Sequence, residues 1–547
     1  MATIEIDKRE FEELLGRSIS DEEIDENASL LGAHWNHLEG LKWEVEVYPN
    51  RPDLLSVEGL ARAYRGFLDV YTGREEYEST EGETKVFVDD SVEDVRPYIG
   101  GAVVRGLELT EKKINGLIQL QEKLHQTVGR RRDKIAIGLH DLSSVEPPFE
   151  YMAVDPQSVS FTPLEHNESL HLEDILEKHD KGKTYSWILE DEDNYPVIVD
   201  DNDEVLSFPP IINNQLTEVT DDTTDIFIDV TGKDENTVSW VLNILTTALA
   251  ERGGEIESVK VGDEEMPHLE PEQTVLDPEY FREISGIDLI GMRIAEKLEM
   301  MKFGAEVNEE SNQIEVEVPC YRTDIMHDYD LIEDAVIAHR YNEIEPELPN
   351  VDQIGNQKDL NRFVDELRDS MIGTGAMEAH TYVLSSKERL FNKMGVKEED
   401  IPEMDNALTE DYSVVRNWLL PSLIQVLKNN RQHSYPQKLF EVADTSILKD
   451  ETAENRRKLA FAHADSEASY TDAREVLQVL ERMLGVEIEV VSKQKGCFAS
   501  NRSGQIVLEN KTIGIIGEID PEVLDNWGLE TEVSAFELDV EKLRELI

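Results

Sequence analysis

Apolar and polar residues alternate with a period of two along TIEID (3–7) and LKWEVEVYP (41–49), and each run predicts a half-buried strand. Between them Asp7 is placed to cap a helix over REFEELLG that stops at Gly16. Ser20 then caps SDEEIDENASLLG, with Glu23 at the capping-box position. A helical run follows from Val57 to Phe67. Further on, KIAIGLHDL (134–142), YPVIVD (195–200) and TDIFIDVTG (224–232) read as strands. Thr237 to Arg252 reads as a helix, stopped by Gly253-Gly254 and followed by the strand IESVKVG. Asp277 opens a helix ending at Gly286, and another runs from Gly291 to Gly304. QIEVEVP (313–319) is a strand, and Leu331–Tyr341 a helix. From residue 360 a helix, LNRFVDELRDSMIGTG, precedes strands at MEAHTYVL, QKLFEVAD, KLAFAHA, VEIEVVS, QIVLE and KTIGIIGEI, with helices between.

Breaks in this pattern divide the chain into four units. The acidic, Gly- and Ser-containing stretch Gly73–Thr84 and the segment MPHLEPEQ (266–273) read as linkers. The units are 1–75, a small α/β unit; 85–265, mixed α/β; 270–346, compact with helices around a short sheet; and 355–547, whose strands and helices give an antiparallel-sheet pattern. The fold class is therefore α+β, multidomain. No short-period repeat stands out.

Composition changes one part of this picture. The 547 residues carry 118 Asp and Glu against 53 Lys and Arg, a formal net charge of −65, and the acids are spread along the whole length. Such a surface repels itself at ordinary salt. At ~1 M salt the Debye length is only ~3 Å and the repulsion is screened. The charge predicts a halophilic protein and says little about substrate; an acidic protein that binds basic partners at ordinary salt is the other reading. The two cysteines, Cys320 and Cys497, make no disulfide framework. The start MATIEIDKREFEELLG has no apolar signal core, and no run of ~20 apolar residues occurs, so a cytoplasmic chain without a membrane span is expected.

Four local patterns carry candidate chemistry. NRPD (50–53) suits a strand–turn–helix joint in which Asp53 caps the next helix. Asp330, Glu333 and Asp334 follow a helical i, i+3, i+4 spacing, with Asp324 within reach at a strand exit. Four short acids suit a hard cation such as magnesium; acids in a first helical turn also simply complement the helix dipole. The run RRRDK (130–134) is a basic island in an acidic chain. Arg130, Arg131, Arg132 and Lys134 suit phosphate contacts, or form a solvated face. Along DIFIDVTG, alternation puts Phe227, Asp229 and Thr231 on one face. A carboxylate and a hydroxyl beside an aromatic can recognise a phenol; the plainer alternative is that Asp229 and Thr231 end a strand or face solvent. His140 suits proton transfer or a structural role.

The stretches VEVYPNRPDLLSVEGLARAYRG (45–66), RRRDKIAIGLHDL (130–142), SFPPIINNQLTEVTDDTTDIFIDVTG (207–232) and VPCYRTDIMHDYDLIEDAVIAHRYNEI (318–344) resemble phenylalanyl-tRNA synthetase beta subunits, as do RQHSYPQKLFEVAD and IGIIGEIDPEVLDNWGL nearer the C-terminus. The chain lacks the extra terminal domains of the bacterial type, which points to the archaeal/eukaryotic class.

The resemblance implies a heterotetramer of two alpha and two beta subunits acting on tRNA(Phe). Unit 85–265 would be an editing domain that hydrolyses tRNA mischarged with tyrosine, its pocket at Asp229 and Thr231 with Ser207 and Ile198. The family places tRNA against this chain, which makes Arg130, Arg131, Arg132 and Lys134 its candidate contacts. Unit 270–346 would be winged-helix-like, and Asp324, Asp330, Glu333 and Asp334 would hold a magnesium ion shared with the alpha subunit. Unit 355–547 would be a degenerate class II catalytic fold. Such folds need an arginine near the end of a glycine-rich strand, yet after IGIIGEI none follows until Arg544. ATP would therefore be used by the alpha subunit. A stand-alone tRNA deacylase and a non-catalytic nucleic-acid-binding scaffold are the alternatives.

Overall fold

The computed structural model describes residues 2–37, 40–351, 354–450 and 452–547 and divides into two compact units, Met1–Glu347 and Leu348–Ile547.

The first unit opens with β1 (Ala2–Asp7), α1 (Lys8–Leu15), α2 (Asp21–Ala28), β2 (Ala33–His37), β3 (Lys42–Val47) and α3 (Val57–Phe67), the strands ordered β1-β3-β2. The alternation seen in the sequence closes this sheet on a core of Trp35, Trp43, Phe11 and Tyr64. Asp7 caps α1 and Ser20 caps α2 through its hydroxyl. Glu23 does not complete a capping box, because its carboxylate pairs with Arg17.

Next come β4 (Tyr98–Arg105), α4 (Glu111–Gln126), β5 (Ile135–Asp141), β6 (Tyr195–Val199), β7 (Val205–Phe208), β8 (Ile226–Gly232), α5 (Glu235–Ala250) and β9 (Glu255–Val261). They belong to an eleven-stranded sheet in which β8 lies between β4 and β5, antiparallel to both. All seven residues of β8 are buried, so neither of its faces meets solvent. The stretch read as a linker, Gly73–Thr84, is instead docked. Arg74 pairs with Glu317, the Tyr77 hydroxyl bonds Arg62 and Glu251, and Ser79–Thr80 forms a strand beside β9. Its acidic, Gly-containing composition concealed these anchors.

The unit ends with β10 (Glu272–Leu276), α6 (Pro278–Ser285), α7 (Gly291–Met300), β11 (Gly304–Val307), β12 (Ile314–Val318) and α8 (Asp328–His339), ordered β10-β12-β11. This repeats the β1–α3 plan element by element, down to the joint between last strand and last helix. Arg51 holds Asp53 through two bonds of 2.8 Å, and Arg322 holds Asp324 at 2.8 and 2.9 Å. The R-x-D pair is thus a bidentate clamp at both joints. Asp53 is therefore not the cap of α3; Ser56 is. Gly59 allows α3 to pack on the first joint, since a Cβ there would lie 1.7 Å from the Asp53 carbonyl oxygen.

In the second unit α9 (Asp359–Gly373), α10 (Leu420–Asn429) and α11 (Tyr470–Leu484) accompany β13 (Gln437–Lys449), β14 (Thr452–Ala464), β15 (Glu489–Ser492), β16 (Phe498–Leu508), β17 (Lys511–Ile519) and β18 (Val533–Asp539). The sheet has seven strands, β13-β14-β18-β17-β16-β15 preceded by the two-residue strand Met377–Glu378. Successive side chains alternate between its faces. Phe440, Phe461 and Phe536 pack on α9 and α11; Ala443, Ala460 and Ala535 pack on α10. MEAHTYVL is not one strand: only Met377–Glu378 and Leu384–Ser385 are extended partners.

Candidate functional site: a pocket and a groove joined by one turn

A pocket of about 260 Å³ lies between α4, β5, β8 and the segment after β7. Ser207, Pro210, Ile211, Gly138, Arg132 and Asp229 are among its walls. Asp229 and Thr231 are 1% and 0% exposed, which removes the solvent-facing alternative. Asp229 reaches the pocket with its Oδ2 held 2.8 Å from His140 Nε2. His140 Nδ1 in turn lies 2.8 Å from the Thr217 hydroxyl. Nε2 faces the carboxylate and Nδ1 faces the Thr217 hydroxyl, which also donates to the Asn214 carbonyl at 3.2 Å. Both ring nitrogens are then engaged, and His140 has none free for a substrate proton. It orients the carboxylate. The Ser207 hydroxyl is buried at the pocket with no partner inside the protein, so it is open to a polar group that enters the pocket, water or ligand.

Two expected pocket residues sit elsewhere. Thr231 accepts from Arg96 Nε at 3.0 Å, away from the pocket lining. Ile198 is paired across the sheet with Ser207 and is wholly buried, outside the pocket lining. Alternation placed Thr231 on the Asp229 face, but it could not show that a buried arginine would claim the hydroxyl.

Arg130, Arg131 and Arg132 have φ of +48°, +59° and +71°. Three consecutive non-glycine residues in the left-handed region cost roughly 1–2 kcal/mol each, so the turn needs a brace. Arg96 supplies it: its guanidinium donates to the Arg132, Asp133 and Thr231 carbonyls at 2.9–3.1 Å. Burial lowers the Arg96 value to about 10, still charged at neutral pH. The turn sends its basic side chains three ways. Arg132 is buried in the pocket wall, donating to the Ile211 carbonyl at 2.8 Å and to Glu122 at 2.6 Å. Arg131 lies over the exposed ring of Trp187. Arg130 and Lys134 line a groove of about 770 Å³.

The same groove is lined by the acidic set, Asp324, Asp330, Glu333 and Asp334. Arg322 spans Asp324 and Asp334, the latter at 2.6 Å. Burial opposes ionisation of Asp324, but Arg322 and then Arg51 hold its carboxyl below the ordinary range. Asp330 turns back to accept from the Met326 and His327 amides at 2.7 and 2.8 Å. Glu333 has its carboxyl raised, first by burial and then by Asp334, Asp330 and Asp324. Among the described residues no three Asp, Glu, His or Cys side chains are grouped to hold a metal ion. Two of the four carboxylates neutralise an arginine, so the set does not fit a magnesium site built by this chain alone. Among the described residues no helix is long and apolar enough to cross a membrane.

Three family models match: the phenylalanyl tRNA synthetase beta chain CLM domain over residues 344–540, the tRNA synthetase B5 domain over 274–341 and the B3/4 domain over 107–261. The B3/4 match spans most of the pocket, and the B5 match contains the acidic wall of the groove. The phenylalanine–tRNA ligase beta subunit of Pyrococcus abyssi is 43% identical, with 98% of this chain and 99% of that one aligned. The beta subunit of Methanosarcina acetivorans is 39% identical over 99% of each. A crystal structure of an N-terminal fragment of the Pyrococcus horikoshii phenylalanyl-tRNA synthetase beta subunit is matched over its whole length and 62% of this chain, at TM-score 0.59 and 38% identity. With such relatives aligned nearly end to end, the chain belongs to the phenylalanine–tRNA ligase beta-subunit family of the archaeal type.

Proposed function

We propose that this chain is the non-activating subunit of a phenylalanine–tRNA ligase and that its pocket hydrolyses tRNA(Phe) mischarged with tyrosine. An alpha subunit then performs the ATP-dependent attachment of phenylalanine, in an assembly of two alpha and two beta chains. The second compact unit contributes a degenerate class II fold as scaffold, and the B5-matched unit a winged-helix-like one. The observation that carries the editing reading is the pairing, in one small pocket, of a buried carboxylate with an unpartnered buried hydroxyl, Asp229 and Ser207. A phenolic hydroxyl meets both needs, and phenylalanine meets neither. Sites that hydrogen-bond a substrate hydroxyl discriminate against its absence by ~10⁴ or more.

The experiment compares two activities on one folded preparation of Asp229→Ala with its alpha partner. Loss of a hydrogen bond to a charged group costs roughly 1.5–3 kcal/mol, or about 10–150-fold in rate. Hydrolysis of preformed Tyr-tRNA falls at least tenfold while phenylalanylation stays nearly intact. Equal loss of both activities, or unchanged hydrolysis, removes Asp229 from the pocket's chemistry.

Magnesium is proposed only as an ion completed from outside, by the alpha subunit, on Glu333 and the free oxygen of Asp330. Asp330→Asn with Glu333→Gln then weakens association with alpha. Intact assembly of the double variant, unaffected by chelator in size-exclusion chromatography, overturns that assignment.

A further inference from the structure

We propose that Trp187, backed by Arg131, is a stacking platform for the unpaired 3′ end of an RNA whose terminal ester enters the Asp229 pocket. The proposal rests on the deacylase reading of that pocket and adds the surface that presents the substrate to it.

The pocket is small. At about 260 Å³ it falls below the ~300–1,000 Å³ of ordinary small-molecule sites. It admits one side chain and leaves the nucleotides that carry it outside, on the surface beside the mouth. Arg132 and Lys181 both line the pocket, and Tyr185 lies under the Arg132 guanidinium at 4.5 Å. Two residues on, Trp187 is 45% exposed, while its neighbours Ile188 and Leu189 are 7% and 2% exposed. Those two apolar side chains anchor the turn, so the indole is presented on a fixed support. Arg131, one residue from the pocket wall, lies 6.0 Å from the Trp187 ring centroid.

The backbone that places Arg131 there is the left-handed arginine turn braced by Arg96. Strain that is over-determined by its surroundings concentrates at functional sites. If the turn served only to project solvated charge, an ordinary loop would suffice, and Arg96 would not be needed as a buried clamp.

An exposed indole beside a guanidinium suits a nucleobase, which every sequence offers as a π face. It also suits this chain's charge. At molar salt the release of counterions no longer drives binding, and a protein carrying −65 gains little from phosphate attraction. Stacking survives both conditions. A basic protein surface is the poorer occupant, because Arg131, which lies against the indole, is itself positive.

The test uses the full-length chain in 2 M KCl and the unacylated trinucleotide CCA, labelled at its 5′ end, as probe. Fluorescence anisotropy gives the affinity, and the protein's own tryptophan emission reports stacking. Wild-type protein binds with quenched emission. Trp187→Ala weakens binding about tenfold, Trp187→Phe stays within about threefold, and the quenching disappears in both. Circular dichroism of each variant checks the fold, which a surface substitution leaves unchanged. Equal affinity of Trp187→Ala and wild type overturns the platform. So does the absence of CCA binding, or a Trp187 response to the alpha subunit and none to RNA. Because the probe carries no amino acid, the two readings fail separately. Quenched binding without Tyr-tRNA hydrolysis leaves the platform and sinks the deacylase; hydrolysis with unchanged Trp187→Ala binding does the reverse.

Discussion

His140 Nε2 lies 2.8 Å from Asp229 Oδ2, and neither side chain is more than 2% exposed. The pairing depends on a third residue. A Cβ at Gly138 would stand 1.8 Å from that same Oδ2 and 2.6 Å from His140 Nε2. The glycine on β5 is thus the space into which the carboxylate of β8 fits. Removing the imidazole takes away a hydrogen bond to a buried carboxylate, at roughly 1.5–3 kcal/mol. His140→Ala is expected to lower the denaturation midpoint and to abolish most Tyr-tRNA hydrolysis. His140→Gln keeps one donor for Asp229 and recovers part of both. Gly138→Ala is expected to lose hydrolysis without loss of phenylalanylation by the assembled enzyme. Full hydrolysis by His140→Ala would mean that Asp229 needs no orienting partner.

The pocket's helical wall gives a pH dependence. His125 on α4 accepts the Ile137 amide through Nε2 at 2.8 Å. Burial pushes its value down to about 4 from 6.5. Between those values the unfolded chain binds a proton that the folded chain refuses. Stability therefore rises with pH from 4 to 6.5 and is lost as pH falls through that window, by up to about 3 kcal/mol. Urea denaturation of wild type and His125→Gln at pH 7.5, 5.5 and 4.5 reads this directly, since Gln can accept the same amide without titrating. Parallel losses in the two proteins would show that other groups govern the acid limb.

Much of this was legible in the sequence, and the exceptions share a cause. Helix caps at Asp7, Ser20 and Asp277 followed from residue type, because a cap is decided within four residues. Asp229 and Ser207 were candidates, and the pocket contains both. What sequence could not show was long-range pairing: Arg96 claiming Thr231, Tyr77 docking a supposed linker, and Arg132 turning inward. The duplicated plan of β1–α3 and β10–α8 was missed although R-x-D stands at both joints. Three letters in a chain with 118 acids carry no signal until the bidentate geometry is seen.

The charge makes a separate prediction. A surface carrying −65 loses self-repulsion as the Debye length contracts from about 10 Å at 0.1 M to 3 Å at 1 M salt. Melting followed by circular dichroism is expected to shift upward steeply between about 0.05 and 3 M KCl, with loss of structure on dialysis to low salt. An unchanged melting temperature across that range would refute screening as the basis of stability.

Opposite signs are expected from two substitutions in the groove wall. Arg322 is buried, and its guanidinium holds Asp324 and Asp334 together. Arg322→Met keeps much of the volume and removes the charge, leaving two carboxylates facing each other out of water. Breaking a buried pair from one side costs about 3–5 kcal/mol, and here two acids lose one partner. Glu333 stands in the contrary position. Its carboxyl is raised by burial and by Asp334, Asp330 and Asp324, so ionising it works against the fold. A raised carboxyl contributes stability below its unfolded value and loses it as pH rises through the folded one. Glu333→Gln removes that loss. The variant is therefore expected to be more stable than wild type at pH 7.5, and the difference to close as pH falls below about 4.5. Denaturation of the isolated chain at both pH values, in fixed molar KCl, checks the pair. A Glu333→Gln variant less stable than wild type at pH 7.5 would mean that the carboxylate has a favourable partner in this chain, and the groove wall would then be a closed network with no opening for a cation.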